Sequence, residues 1–179
     1  MSVITGLARG RRLKTLTGTD VRPTSDKVKE SMFNCLQFCI EGRRVLDLFA
    51  GSGQLGIEAL SRGAVSAHFI DSSKASVAIV KDNLQAVGLS ESAKVFCADA
   101  VSFLRQTGEE FDVAFLDPPY STGLLQKTLN VLPEVMSDYG VIVCEHPVDD
   151  ELPDEVGGFV KGKQHRFGKL AFTVYRKED

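Results

Sequence analysis

Four aspartates stand within or directly after short apolar runs of this 179-residue sequence, and they are Asp47, Asp71, Asp99 and Asp117. A glycine-rich segment follows the first of them, and the last opens the tetrapeptide DPPY. Apolar runs of this length are typical of buried strands. Open α/β sheets bind their ligands at the carboxyl ends of such strands. The four carboxylates are therefore candidates for one ligand site.

The glycine-rich segment, VLDLFAGSGQLG at residues 45–56, has GxGxxG spacing between a predicted strand and a predicted helix. Glycines there let the backbone approach a ligand, and the helix N-terminus offers free N–H groups. This pattern alone also fits a dinucleotide site. Asp47, however, would repel a pyrophosphate, whereas it could hold an ammonium group directly or through water. S-adenosylmethionine carries such a group. Its predicted contacts here are Asp47, Ala50, Gly51, Ser52 and Gly53.

Two further aspartates could complete a nucleoside site. Asp71 ends the second predicted strand, 18 residues after Gly53, where a carboxylate can accept both ribose hydroxyl protons. Asp99 and Ala100 follow the third strand and could meet an adenine edge. A cap for the helix that begins at Ala100 is the alternative role of Asp99.

The DPPY turn follows the fourth predicted strand. Its two prolines remove two backbone donors and fix φ, which leaves a rigid turn of acceptors. Such a turn selects an exocyclic amino group, which Asp117 and the carbonyl of Pro118 could orient. Tyr120 offers a ring on which a base can stack. The predicted catalytic residues are Asp117, Pro118, Pro119 and Tyr120.

The surrounding pattern alternates between strand and helix. Predicted strands cover residues 45–49, 67–70, 94–97, 112–116, 139–144, 158–165 and 170–175. Predicted helices cover residues 26–38, 54–61, 73–87, 100–106 and 124–132. Alternation of this kind specifies a parallel sheet with helices on both faces, but the last two strands are joined by too few residues to be parallel. We expect a Rossmann-like α/β fold with seven strands, mostly parallel, and one antiparallel edge strand.

Basic residues are concentrated at the N-terminus, although the net charge is −3. Residues 1–44 carry nine Lys and Arg against four Asp and Glu, or +5, and the rest carry 12 against 20, or −8. We expect a basic β-hairpin with a connecting helix in residues 1–44 and the S-adenosylmethionine-dependent domain in residues 45–179. A basic arm suits phosphate-backbone binding, although a solvated hairpin would look the same. The candidate contacts to nucleic-acid phosphates are Arg9, Arg11, Arg12, Lys14 and Arg22.

Other classes of site are not indicated. The four cysteines form no CxxC pair and the three histidines are scattered, so no metal is expected. The longest uncharged stretches are about half of the roughly 18 residues that a membrane-spanning helix needs. The N-terminus lacks the apolar core of a signal peptide. We expect a cytoplasmic monomer without membrane contact.

Taken together, these segments resemble the bacterial 16S ribosomal RNA guanine-N2 methyltransferases, class I enzymes that modify guanine 966 in ribosomal numbering. The resemblance covers nearly the whole chain. It rests on ARGRRL (8–13), RPTSDKVKESMFN (22–34), LDLFAGSGQLGIEALSRGA (46–64), FID (69–71), DPPY and FGKLAFTVY (167–175). It implies S-adenosylmethionine as methyl donor and 16S RNA, naked or in the assembling small subunit, as partner. Thr5 and Ala8 depart from the residues frequent in relatives.

Three alternatives remain open. The first keeps the fold and changes the acceptor to a DNA adenine N6, another RNA amino group or a protein glutamine. The DNA adenine and protein glutamine enzymes favour Asn at the position of Asp117. The second is a dinucleotide-dependent oxidoreductase, which Asp47 and DPPY disfavour. The third is a non-catalytic RNA-binding module, which would not need the four aspartates.

Overall fold

The computed structural model describes residues 1–17 and 24–178. Eight strands form one sheet: β1 (Arg44–Leu48), β2 (Ser66–Asp71), β3 (Ala93–Cys97), β4 (Phe111–Leu116), β5 (Met136–Pro147), β6 (Glu155–Val156), β7 (Phe159–Phe167) and β8 (Leu170–Lys177). Five α-helices accompany it among the described residues: α1 (Asp26–Cys35), α2 (Gln54–Ser61), α3 (Lys74–Val87), α4 (Ala100–Gln106) and α5 (Leu124–Leu129). Short 3₁₀ turns lie at Ser90–Ser92 and Leu132–Val135. None of the described helices combines the length and apolar character needed to cross a membrane.

The strand order is β3-β2-β1-β4-β5-β8-β7-β6, and β1 to β5 are parallel. The predicted mostly parallel α/β sheet is confirmed. It has eight strands rather than seven because the two residues of β6 pair with β7. The antiparallel strand β8 lies inside the sheet rather than at its edge. A tight turn at Gly168, whose φ is 63°, folds β8 back so that it pairs with β7 along one edge. The other edge of β8 pairs with β5, which places β8 between these two strands.

Successive strand residues face opposite sides of the sheet, and the core follows this rule. Val113 and Phe115 of β4 belong to the cluster that packs against α1, α2 and α3. Ala114 and Leu116 belong to the cluster on the side of α4 and α5. The central strands are therefore apolar on both faces, as a covered parallel sheet requires.

Most predicted boundaries agree with the structure to within three residues, and residues 54–61 and 100–106 are helical as predicted. The first helix is shorter than predicted, since α1 ends at Cys35 and not at residue 38. Leu36 and Ile40 turn back into the core, which leaves Phe38 90% exposed. Ser25 caps this helix, because its side chain accepts a hydrogen bond from the Val28 N–H.

The N-terminal arm, residues 1–17, folds back on itself and packs on α2. An antiparallel bridge joins Ser2 to Arg12, so the predicted hairpin is present, although it contains no regular strands. The buried Glu58 of α2 accepts the N–H groups of Ile4 and Thr5 at 2.9 and 3.0 Å. Gly6 lies so close to α2 that a Cβ on it would stand 1.7 Å from the carbonyl oxygen of Ser61.

Two cations complete the surroundings of the buried Glu58. Arg62 Nε donates to Glu58 Oε1 at 2.9 Å, and Lys29 Nζ of α1 lies 3.8 Å from Glu58 Oε2. The Lys29 amine also donates to the Ser2 carbonyl oxygen at 2.6 Å. One carboxylate thus connects the arm, α1 and α2, and the ion pairs and backbone donors together offset the cost of its burial.

Replacement of Glu58 by Gln should lower the free energy of unfolding by about 3 kcal/mol, because it leaves the buried Lys29 without its nearest buried counter-charge. Urea denaturation measures this loss. The matched control is Asp138→Asn, which breaks an exposed ion pair with Lys177 and should change stability far less. Equal losses for both variants would show that the Glu58 cluster does not hold the arm.

Candidate active site

Three acidic side chains meet at the carboxyl end of the parallel strands. In the register of the sheet, Asp47 of β1 is the partner of Phe115 of β4, and Phe115 is the partner of Val143 of β5. Asp117 and Glu145 follow two residues later on their chains, so all three carboxyls lie on the same face of the sheet. Asp47 and Glu145 are buried, and Asp117 is largely buried.

Asp47 connects β1 to the start of α2. Its Oδ2 accepts the Gly56 N–H at 3.0 Å. The pKa of Asp47 is raised to about 8, mainly because the carboxyl is buried; the Gly56 N–H opposes this rise, and the negative charge of Asp71 adds to it. A carboxyl of this kind ionises readily only when a positive group comes close.

The glycine loop leaves space in front of Asp47. Phe49 adopts a left-handed backbone conformation with φ 60°, and Gly51 follows with φ 58°. A Cβ built on Gly51 would meet no protein atom within 4 Å, whereas one on Gly56 would stand 2.4 Å from the Phe69 ring. Gly56 is therefore needed for the packing of α2 on the sheet, and Gly51 presents bare backbone to the pocket.

Asp71 and Asp99 also lie at this end of the sheet. The two oxygens of Asp71 accept the N–H groups of Gly51 and Ser73 at 2.9 and 2.8 Å, so Asp71 holds the glycine loop. Asp99 caps α4 and accepts the Ser102 N–H at 2.9 Å. The cap that the sequence offered as an alternative role of Asp99 is thus present. Nucleoside binding by Asp71, Asp99 and Ala100 stays a prediction.

The DPPY turn stands between two pockets. Asp117 lines the first pocket together with residues of the arm and of the glycine loop, among them Thr15, Asp47, Gly51 and Ser52. Pro118, Pro119, Tyr120 and Glu145 line the second pocket. Ser121, just after the turn, has φ 62°, and the Tyr120 side chain is 42% exposed. The turn thus presents Asp117 to one pocket and its proline and tyrosine rings to the other.

The sequence analysis did not predict two residues of the site, Thr24 and Glu145. The Thr24 hydroxyl Oγ1 lies 3.0 Å from Glu145 Oε2 and 3.4 Å from Asp117 Oδ2. The Tyr120 hydroxyl donates to Glu145 Oε1 at 3.2 Å. Burial raises the pKa of both Glu145 and Asp117, and the negative charge of Glu145 adds to the shift of Asp117. One signal for Glu145 was available, since an acid directly after the apolar run VIVC implies a buried carboxyl.

His146 lies beside this site and is held by its neighbours. Its Nδ1 is 2.8 Å from the Pro147 carbonyl oxygen, and its Nε2 is 2.8 Å from the Thr173 hydroxyl. Both ring nitrogens are satisfied, and burial lowers the pKa of the ring. This favours a structural role for His146.

The basic residues of the arm are exposed. Arg9, Arg11 and Arg12 form no ion pair with any described residue, whereas Lys14 Nζ lies 3.1 Å from Asp82 of α3. Arg22 lies outside the described residues. The arm therefore presents three exposed guanidinium groups that pair with no acid in the described part of the chain.

The residues of the first pocket suit a ligand with a cationic amino-acid group, because Asp47 and Asp117 are acceptors and the loop offers bare backbone. Together with a mostly parallel sheet whose β8 is antiparallel, this pocket defines the class I methyltransferase fold.

Comparison with known proteins agrees with this assignment. The family described as Conserved hypothetical protein 95 matches residues 1–176, and the chain belongs to this family. The Ribosomal RNA small subunit methyltransferase D of Escherichia coli is 36% identical over 98% of this chain and 89% of its own length. The protein of the same name from Haemophilus influenzae is 43% identical over 74% of this chain and 70% of its own. The solved structure of a hypothetical protein from Thermus thermophilus superposes with a TM-score of 0.84 at 30% identity, covering 98% of this chain and 99% of that one.

Replacement of Asp47 by Asn should stabilise the ligand-free protein by a few kcal/mol at pH 8. The folded-state pKa of Asp47, about 8, lies above that of a free aspartate, so ionisation of Asp47 costs stability as the pH rises from about 4 to 8. The gain should therefore shrink as the pH falls towards 4. Urea denaturation at pH 5 and pH 8 measures the difference. The control is Asp99→Asn, since Asn caps a helix as well as Asp does. A gain for Asp47→Asn that is equal at both pH values would contradict the assigned ionisation.

Proposed function

We propose that this protein transfers a methyl group from S-adenosylmethionine to the exocyclic N2 of a guanine in 16S ribosomal RNA, at guanine 966. The observation that carries the proposal is the DPPY turn, which is the wall between a glycine-loop pocket and a second pocket lined by Tyr120 and Glu145. This arrangement lets a donor and a base meet at Asp117. Similarity to known proteins supports methyl transfer to RNA, since two relatives are named Ribosomal RNA small subunit methyltransferase D.

The first pocket would hold S-adenosylmethionine. Asp47 would face its ammonium group, and the backbone of residues 50–53 would lie along it. Asp71 keeps lone pairs that could accept the ribose hydroxyls, because each of its oxygens now accepts one N–H. When bound, S-adenosylmethionine supplies an electrophilic methyl group whose bond to sulfur breaks as a nucleophile attacks.

The second pocket would receive the target guanine, extruded from its stack. The Tyr120 ring would stack on the base, and Asp117 and the Pro118 carbonyl would accept hydrogen bonds from the N2 amino group. These bonds direct the nitrogen lone pair towards the methyl group. Positioning of this kind can contribute about 7–11 kcal/mol. Asp117 would also stabilise the positive charge that develops on the nitrogen, and the proton would be lost late.

The acceptor is tested by transfer of labelled methyl groups to small ribosomal subunits that lack their native guanine-N2 methylation. Deproteinised 16S RNA and DNA serve as parallel substrates. Label on guanine 966 is the expected result, and the preferred form of the RNA shows when in assembly the protein acts. Binding of S-adenosylmethionine without transfer to any RNA would overturn the proposed substrate and favour the DNA or protein acceptors.

Replacement of Asp117 by Ala should lower transfer at least about 100-fold, because the amino group loses its acceptor. S-adenosylmethionine binding, measured by calorimetry, should change little, since the ammonium partner is Asp47. Asp138→Asn, near the amino-terminal end of β5 and paired with Lys177, is the control and should retain both properties. Equal loss of transfer and donor binding in Asp117→Ala would mean that Asp117 holds the donor instead.

We further propose that residues 1–44 form the RNA-binding extension, with Arg9, Arg11, Arg12, Lys14 and Arg22 as phosphate contacts. The guanidinium groups of Arg9, Arg11 and Arg12 are exposed and form no ion pair within residues 1–17 and 24–178, which supports this proposal. Lys14 should contribute less, because its ammonium is already paired with Asp82.

Replacement of Arg9, Arg11 and Arg12 by Gln should weaken RNA binding and reduce the salt dependence of affinity. Each lost phosphate contact lowers the slope of log K against log salt by roughly 0.7–0.9, so the slope of the triple variant should fall by roughly two to three. Filter binding at several salt concentrations measures the slope. Lys94→Gln, on the edge strand β3 and paired with Glu109, is the control. An unchanged slope in the triple variant would exclude the arm from phosphate binding.

A further inference from the structure

The Thr24 hydroxyl contacts two carboxyl groups at once. Its Oγ1 lies 3.0 Å from Glu145 Oε2 and 3.4 Å from Asp117 Oδ2. A hydroxyl carries one proton and can donate it to only one acceptor at a time. The second contact is a hydrogen bond only if that carboxyl is itself protonated and donates to Oγ1. The geometry is satisfied when the two acids hold one proton between them.

The other groups around Asp117 and Glu145 also favour a single proton shared between the two acids. Among the described residues, the titratable groups that face it are Asp47 on β1, which acts on Asp117, and Tyr120, whose hydroxyl donates to Glu145 Oε1. No described Lys or Arg forms an ion pair with Asp47, Asp117 or Glu145. Burial raises the pKa of both members of the pair, and the charge of Glu145 raises that of Asp117 further. Two ionised carboxylates in this environment would repel one another without compensation.

Thr24 is held in place independently of its hydroxyl. The Gln54 side-chain amide, oriented to suit both partners, donates to the Thr24 carbonyl oxygen at 3.3 Å and accepts the Thr24 N–H at 3.0 Å. Thr24 is 5% exposed. The first residues of α2 therefore fix the backbone that places the hydroxyl between the two acids.

We propose that Asp117 and Glu145 share one proton through the Thr24 hydroxyl, which makes Glu145 and Thr24 positioning residues that keep Asp117 ionised for the target amino group. The proposal rests on the proposed function. In the ligand-free protein the proton lies mainly on Asp117, which faces the negative charges of both Glu145 and Asp47. When the target amino group is bound, the proton has passed through Thr24, so that Glu145 donates to Thr24 Oγ1 and Thr24 donates to the Asp117 carboxylate. Asp117 then offers its remaining lone pairs to the amino hydrogens.

This arrangement also accounts for the proton that the reaction releases. The nitrogen lone pair forms the new N–C bond, the C–S bond breaks, and its electron pair stays on sulfur. The nitrogen then carries a positive charge and gives one proton to Asp117. The pair now holds two protons, and one of them passes to water, which restores the starting state.

Two variants should move the ionisation of Asp117 in opposite directions. Glu145→Gln retains a donor for Thr24 and removes a negative charge, so the pH at which Asp117 titrates should fall by about one unit. Thr24→Val keeps the shape and removes the donor that stabilises the Asp117 carboxylate, so this pH should rise. Thr24→Ser retains the hydroxyl and is the matched control, in which the pH at which Asp117 titrates should stay close to that of the parent protein.

Two measurements are needed. Carbon-13 NMR titration of the side-chain carboxyls in the ligand-free protein follows the pair directly, and it should show two coupled steps in the parent protein and one in Glu145→Gln. The pH profile of single-turnover methyl transfer to 16S RNA should show its acidic limb displaced in the same directions. Glu145→Gln keeps the test decisive if Thr24→Val does not fold.

The outcomes separate the two proposals. Opposite displacements of the Asp117 titration support the shared proton, even if no transfer to RNA is found, in which case the proposed substrate fails alone. An Asp117 titration that is the same in Glu145→Gln as in the parent protein would overturn the shared proton. Displacement in one direction by both variants would overturn the bridging role of Thr24.

Discussion

The burial of three acids at the carboxyl end of the sheet is the constraint on which the site depends. Asp47, Asp117 and Glu145 lie on one face of the sheet because the parallel register pairs Asp47 with Phe115 and Phe115 with Val143, and Asp117 and Glu145 come two residues later. Buried carboxyls need hydrogen-bond donors, and each donor here comes from a different part of the chain. The Gly56 N–H satisfies Asp47 and thereby fixes α2, and the Thr24 hydroxyl brings the segment before α1 onto β4 and β5. The same acids make this end of the sheet rich in hydrogen-bond acceptors, which is what the proposed cationic donor and target amino group require.

The N-terminal arm depends on a second buried acid of a different kind. Glu58 is surrounded by Lys29, Arg62 and the N–H groups of residues 4 and 5, so its charge is compensated. The site acids have no such cation among the described residues. This contrast separates their roles, because Glu58 stabilises the docking of the arm, whereas the site acids keep acceptor capacity for a ligand. The docked arm in turn places Thr15 and Leu16 at the pocket.

The helices that flank the site approach the sheet closely. Gly56 lets α2 lie against the Phe69 ring, where any Cβ would collide. This packing aligns the start of α2 with Asp47 and places Gln54 against the Thr24 backbone. The left-handed residues Phe49 and Ser121 lie directly after β1 and after the DPPY turn. Backbone strain thus concentrates at the two turns that form the pockets, as is common at functional sites.

Local pattern was sufficient to predict the alternating α/β fold, the helices at residues 54–61 and 100–106, the glycine loop and the DPPY turn. These features depend on residues near one another in the chain, through hydrophobic periodicity, glycine backbone freedom and the rigidity of proline. The internal position of β8 and the place of Glu145 beside Asp117 were decided by strand pairing, which joins distant segments. Thr24 is separated from Glu145 by 121 positions, and no local signal connects them. The sequence by itself determined the chemistry available at each turn, whereas only the tertiary structure decided which acids share a hydroxyl, because hydrogen bonds between distant segments depend on packing.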